Sequence, residues 1–186
     1  MIIAIYGKSG SGKSYLAEKM IEDITNSIHI DIDELNRDLM TTDGVKHKAK
    51  EIFGTHNVFV NNNLDTSLIL KAIMNNDDIY NKWTSYMKSL CNNFITNYIA
   101  NTNYNTYILD HLNAGTLDVC KDNYTVYIAC ELDKATRLQR LNLTDSVSED
   151  ILNFRDNKYI SMPPTITYTN NNYHEILNYL NTTIKS

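Results

Sequence analysis

The chain has little of what a secreted, membrane-spanning or multidomain protein needs. It contains two prolines and no Ser/Gly-rich linker, so no composition break divides it and a single domain is expected over residues 1–186. Its three cysteines (Cys91, Cys120 and Cys130) are odd in number and lack metal-ligand spacing, which reads as reduced thiols in a cytoplasmic protein. No apolar run is long enough to span a bilayer, and a strand predicted from Ile2 leaves no room for a leader. Basic residues are the minority, 17 against 22 acidic, for a net charge of −5. That argues against a nucleic-acid backbone or an anionic membrane as the main partner, but not against a local basic pocket for a phosphorylated small molecule. The frequent asparagines, as in residues 61–63 and 170–172, carry no functional weight by themselves.

What is present is periodic. Ile2–Tyr6 is a short apolar run of the kind buried in a parallel sheet, and Leu16, Ala17, Met20, Ile21 and Ile24 follow at helical spacing. "SIHIDID" predicts a second strand ending in two acids. Residues 34–102 are mostly helical in pattern, with Ile79, Trp83, Tyr86, Met87, Leu90, Phe94 and Ile95 as a core stripe. "TYILD" and "YTVYIA" are β-branched and aromatic strands, "DKATRLQRL" is helical, and "PPTITYT" and "YHEILNYL" predict a last strand and helix. Strands alternating with helices imply a parallel sheet of about five strands with helices on both faces.

Between the first strand and the first helix, Gly7-Lys8-Ser9-Gly10-Ser11-Gly12-Lys13-Ser14 satisfies G-x-x-x-x-G-K-[ST] in the context that gives the motif its meaning. Glycines let successive amide N–H groups converge, and the helix N-terminus adds partial positive charge. Such a loop, with Tyr15 just after it, predicts a bound nucleoside triphosphate in a three-layer P-loop NTPase fold, Lys13 reaching the β- and γ-phosphates and Ser14 a Mg²⁺ ion. Phosphoryl transfer also needs a carboxylate near the attacking hydroxyl. Asp31 and Asp33, two apart on a predicted strand, would face one cleft, with capping of the next helix as the alternative. Asp110 closes "YILD" in the position of an acid that holds Mg²⁺ through water, or else is a turn acid. Arg137 and Arg140 share a helical face with Lys134, either as a lid over the phosphates or as a solvated surface stripe.

The order "GKSGSGKS", "HIDIDEL", "KEIFG", "YILDHL", "DKATRLQRL" and "ITYTNNNYHEI" resembles the dephospho-coenzyme A kinase family over most of the chain. The resemblance implies an ATP- and Mg²⁺-dependent transfer of the γ-phosphate to the ribose 3′-hydroxyl of dephospho-CoA. It implies Asp33 as base beside Asp31, Arg137 and Arg140 as lid residues, and an adenine site near Asn170, Asn171 and Asn172. It also implies a helical acceptor-binding insertion over about 34–104 and a small helical lid over about 134–158. The chain departs from the family pattern at Thr66, in "SYMKSLCNNF", at His111-Leu112-Asn113 and at Thr144, mainly on the acceptor side and in the lid. A nucleoside or nucleotide kinase is therefore the alternative enzyme, and an ATP-binding regulatory module without transfer activity the alternative of another class.

Overall fold

The computed structural model describes residues 1–142 and 149–184. They divide into two compact units, the first made of Met1–Ile32 and Tyr98–Ser186, the second of Asp33–Asn97.

The first unit is built on a five-stranded parallel sheet. Its strands are β1 (Ile2–Tyr6), β2 (Ser27–Asp31), β5 (Thr106–Asp110), β6 (Thr125–Cys130) and β7 (Ile166–Tyr168), in the order β2-β5-β1-β6-β7. β1 lies in the middle, hydrogen-bonded on both sides, and so all five of its residues are buried. Alternate residues serve opposite faces. Ile3, Ile5, Ile108, Val126 and Ile128 join Leu16, Ala17 and Met20 of α1 (Lys13–Asp23) and Ile176 and Leu180 of α9 (Tyr173–Ile184) in one core. On the other face Ala4, Tyr6, Tyr107 and Leu109 are buried, and the Tyr6 hydroxyl donates to the Met162 carbonyl at 2.8 Å. α7 (Lys134–Asn142) and α8 (Glu149–Asn157) lie between β6 and β7 in sequence, and a short α6 (Asp118–Lys121) between β5 and β6. This is the three-layer α/β arrangement of P-loop NTPases, with the predicted strand number.

The second unit packs α3 (Asp43–Phe53), α4 (Thr66–Met74) and the first part of α5 (Asp77–Asn101) around Val45, Phe53, Val58, Ile69, Trp83 and Met87. The Phe53 and Trp83 rings meet at 5.1 Å between centroids. Asp65 caps α4, its Oδ1 accepting from the Ser67 and Leu68 N–H groups at 2.9 Å each. Helix is not the whole of this unit. β3 (Phe59–Val60) and β4 (Asn63–Leu64) form a hairpin whose turn residues Asn61 and Asn62 have φ of 49° and 63°. Asparagine tolerates that left-handed conformation, which gives this cluster a structural cause.

One boundary differs from the sequence expectation. β2 ends at Asp31 and α2 (Ile32–Met40) begins at the next residue, which places Asp33 and Glu34 in a first helical turn. Acids are favoured there by the helix dipole. Asp31 and Asp33 are therefore not alternate residues of one strand, and the shared-face argument for the pair does not hold. Among the described residues no helix is long and apolar enough to cross a membrane.

Candidate active site

β1 ends at Tyr6, and the chain turns through the phosphate-loop motif before α1 starts at Lys13. Gly7, at φ 149°, could not carry a side chain, because a Cβ there would run into the Cys130 carbonyl at the end of β6. Gly12 caps α1 at φ 92°, a conformation in which other residues are strained, and its carbonyl accepts from the Leu16 N–H at 3.0 Å. Within the loop the Ser11 N–H donates to the Lys8 carbonyl at 3.2 Å, and Lys13 Nζ donates to the same carbonyl at 3.4 Å. The Ser11 hydroxyl is buried without a hydrogen-bond partner. Lys8 Nζ lies 5.9 Å from the centre of the Tyr159 ring.

Asp110 closes β5 beside this loop, in register with Ile5 of β1 on one side and Asp31 of β2 on the other. Its side chain is 3 % exposed and its Oδ1 has no hydrogen-bond partner. Burial pushes the carboxyl pKa up, but the His29 imidazole, the Ser14 hydroxyl and the Lys13 ammonium outweigh burial and hold it below the ordinary value. His29 Nε2 stands 3.8 Å from Asp110 Oδ2, at ion-pair rather than hydrogen-bond distance. A buried carboxylate with an unused oxygen, facing a serine hydroxyl, fits the water-mediated Mg²⁺ site expected of Ser14 and Asp110. Among the described residues no cluster of three or more His, Cys, Asp or Glu side chains gathers elsewhere to hold a metal.

Next to the loop a cavity of about 610 Å³ is lined by Gly10, Gly12, Tyr15, Arg140, Leu141, Tyr168 and Asn170. A Cβ on Gly12 would come within 3.2 Å of Arg140 Nη1. Tyr15 is 59 % exposed, an aromatic face beside a polar loop. The three asparagines of the last loop have different fates. Asn170, at φ 73°, lines the cavity. Asn171 is exposed, and Asn172 is occupied by its own loop, accepting from the Thr169 N–H at 3.0 Å and donating to the Thr167 carbonyl at 2.8 Å.

The two arginines of α7 also separate. Asp133 caps that helix, its carboxylate accepting from the Thr136 N–H at 2.9 Å and from the Thr136 hydroxyl at 2.6 Å. Arg140 lines the cavity, whereas Arg137 is buried and forms a fork-to-fork pair with Asp156 of α8. Sequence reading singled out neither Asp156, 19 residues from its partner, nor the cavity residues Leu141 and Tyr168. Tyr168 lies in the quoted "ITYTNNN" and could have been taken from it; nothing local marks Asp156. Thr144, where the resemblance implies a second lid arginine, lies outside the described residues.

No protein-family model and no curated protein matches the chain. Solved structures do. The crystal structure of TT1252 from Thermus thermophilus superposes with a TM-score of 0.76 at 16 % identity, covering 98 % of this chain and 97 % of that one. Deoxyadenosine kinase from M. mycoides, solved with dCMP and a flexible dCDP as products, gives a TM-score of 0.51 at 12 % identity, covering 98 % and 100 %. At these identities the likeness is one of fold, and the fold is that of the P-loop kinases.

Proposed function

We propose that the protein is an ATP- and Mg²⁺-dependent kinase that phosphorylates a hydroxyl of a small molecule, with the 3′-hydroxyl of dephospho-CoA as acceptor. The observation that carries the kinase reading is the phosphate loop closed by Gly7 against Cys130, with the buried Asp110 carboxylate facing Ser14 and Lys13 beside it. The acceptor rests on the sequence resemblance.

In this reading the loop N–H groups and the N-terminus of α1 cradle the phosphates, and Lys13 exchanges the Lys8 carbonyl for β- and γ-phosphate oxygens. Ser14 and Asp110 would hold Mg²⁺, which would neutralise charge on the phosphates. Tyr15, Tyr168 and Asn170 receive the base in the adjoining cavity. Asp33 takes the proton of the acceptor hydroxyl, whose oxygen bonds to the γ-phosphorus as the bond to the β,γ-bridging oxygen breaks and ADP leaves. Asp31 orients the cleft or the metal, and Arg140 meets negative charge on the phosphoryl group.

A nucleoside acceptor is the second reading. The departures at Thr66 and "SYMKSLCNNF" count against coenzyme A rather than for a nucleoside, and what supports this reading is the fold shared with a deoxyadenosine kinase. ADP release measured with dephospho-CoA, with nucleosides and nucleoside monophosphates, and with no acceptor separates the readings. Turnover with dephospho-CoA alone is the expected result. Turnover with a nucleoside alone moves the acceptor, and ATP binding without turnover on any acceptor would leave a binding module.

A further inference from the structure

We propose that Asp156 is a positioning residue for the phosphate loop, acting through Arg137, and that Arg137 is thereby a strut of the loop rather than a ligand of the phosphates. The role rests on the reading of Gly7–Ser14 as a triphosphate site. Arg137 is 3 % exposed, and its Nη1 donates both to the Ser9 carbonyl and to Asp156 Oδ1, each at 3.0 Å. Its Nη2 donates to Asp156 Oδ2 at 2.6 Å, so the carboxylate holds both arms of the fork in one plane. A buried guanidinium stripped of that carboxylate would be an uncompensated charge, so the pair holds together.

The consequence for the loop follows from peptide geometry. In a trans peptide the carbonyl of one residue and the N–H of the next point in opposite directions. Fixing the Ser9 carbonyl on Arg137 therefore turns the Gly10 N–H away from Arg137, to the opposite side of the loop. A flipped peptide would present an oxygen where phosphate needs a donor. α7 reinforces the contact with its backbone: a Cβ on Gly10 would lie 3.0 Å from the Arg137 carbonyl and 3.2 Å from Leu141 Cγ. Asp156 is itself placed by its surroundings. Leu152, one helical turn earlier, is buried. Just beyond α8, Asn113 donates to the Lys158 carbonyl at 3.0 Å and accepts from the Ile160 N–H at 2.8 Å.

The test compares wild type with Asp156→Asn, Arg137→Lys and the double variant Arg137→Met/Asp156→Leu, which removes both charges and refills the space. Each is measured for thermal unfolding, for binding of a non-hydrolysable ATP analogue with Mg²⁺, and for amide exchange of the peptide covering residues 7–14 without nucleotide. The strut predicts faster exchange across the loop and roughly tenfold weaker nucleotide binding in every folded variant, the double variant unfolding near the wild-type temperature. Arg137→Lys keeps the charge but not the fork, so it decides the matter if the double variant does not fold. Loop exchange unchanged in the folded variants overturns the strut. So does nucleotide binding by Asp156→Asn at or above wild-type strength, the result expected if Arg137 were a phosphate ligand released by the substitution. A wild-type protein that fails to bind the analogue would sink the triphosphate reading, while loop exchange would still decide the role of the pair.

Discussion

Asp31 and Asp110 stand in register at the carboxyl ends of neighbouring parallel strands, yet the buried Asp110 carboxyl is held below its ordinary pKa. Burial works against ionisation, so His29, Ser14 and Lys13 must outweigh it. The sign follows from linkage: a depressed folded-state value stabilises the fold above the ordinary carboxylate pKa of about 3.9, and that contribution is lost as pH falls through the folded value. Asp110→Asn removes the titration. Urea unfolding at pH 7 and pH 3 is expected to show a smaller drop between the two for the variant than for wild type. An equal drop would mean that these neighbours do not hold the charge.

Lys13→Ala removes an ammonium that contacts only a loop carbonyl among its hydrogen bonds here. The fold is expected to survive with its melting temperature little changed. ATP binding is expected to weaken by roughly 10- to 100-fold, the worth of one charge-assisted hydrogen bond to phosphate. Calorimetric titration checks this, and unchanged affinity in a folded variant would remove the loop from phosphate binding.

The sheet and the loop were legible because their signals are local. An uninterrupted apolar run such as Ile2–Tyr6 can be satisfied only in the middle of a sheet, and it is β1 that lies there. The P-loop needs glycine where Gly7 meets Cys130 and where Gly12 opens a helix, and both requirements are written into consecutive residues. The end of β2 was less legible. Alternation in "SIHIDID" runs on past Asp31, while Ile32 already belongs to α2, so periodicity of two and a helix start overlap on the same letters. Nor could sequence find Asp156, since its pairing with Arg137 comes from α7 and α8 folding onto each other. Arg137 and Arg140 look equivalent on a helical wheel; only the burial of one and the cavity beside the other tell them apart.

Asp33→Asn is expected to lower kcat by roughly 100-fold or more while ATP binding is kept, because the amide is nearly isosteric but cannot take a proton. Asp31→Asn serves as the comparison. A kcat near wild type in Asp33→Asn together with a large loss in Asp31→Asn would transfer the role of base to the strand-end acid.

Cys91, Cys120 and Cys130 are free and buried, and burial pushes their thiols up to about 11, about 12 and about 12. Thiolate is the reactive form, so at pH 8 the native protein is expected to be inert to a disulfide reagent. All three should react in guanidinium chloride. Rapid labelling of the native protein would show that one of these strands or helices opens readily.

Arg140 gives the sharpest division between binding and catalysis. It belongs to the helix that packs on the phosphate loop, lines the cavity, and would come within 3.2 Å of any Cβ at Gly12, the capping residue of α1. A guanidinium at that end of the loop adds positive charge where the α1 N-terminus already supplies some. Negative charge develops on the leaving β,γ-bridging oxygen as its bond to phosphorus breaks, so an interaction there strengthens during transfer rather than in the ground state. Arg140→Ala is therefore expected to lower kcat by roughly 100-fold while the ATP dissociation constant changes by less than about threefold. Arg140→Lys, which keeps the charge without the fork, should fall between the two. Steady-state kinetics alongside direct titration of an ATP analogue makes the separation. A dissociation constant that rises as far as kcat/KM falls would mean that Arg140 holds nucleotide and transition state equally, and the catalytic role would be withdrawn.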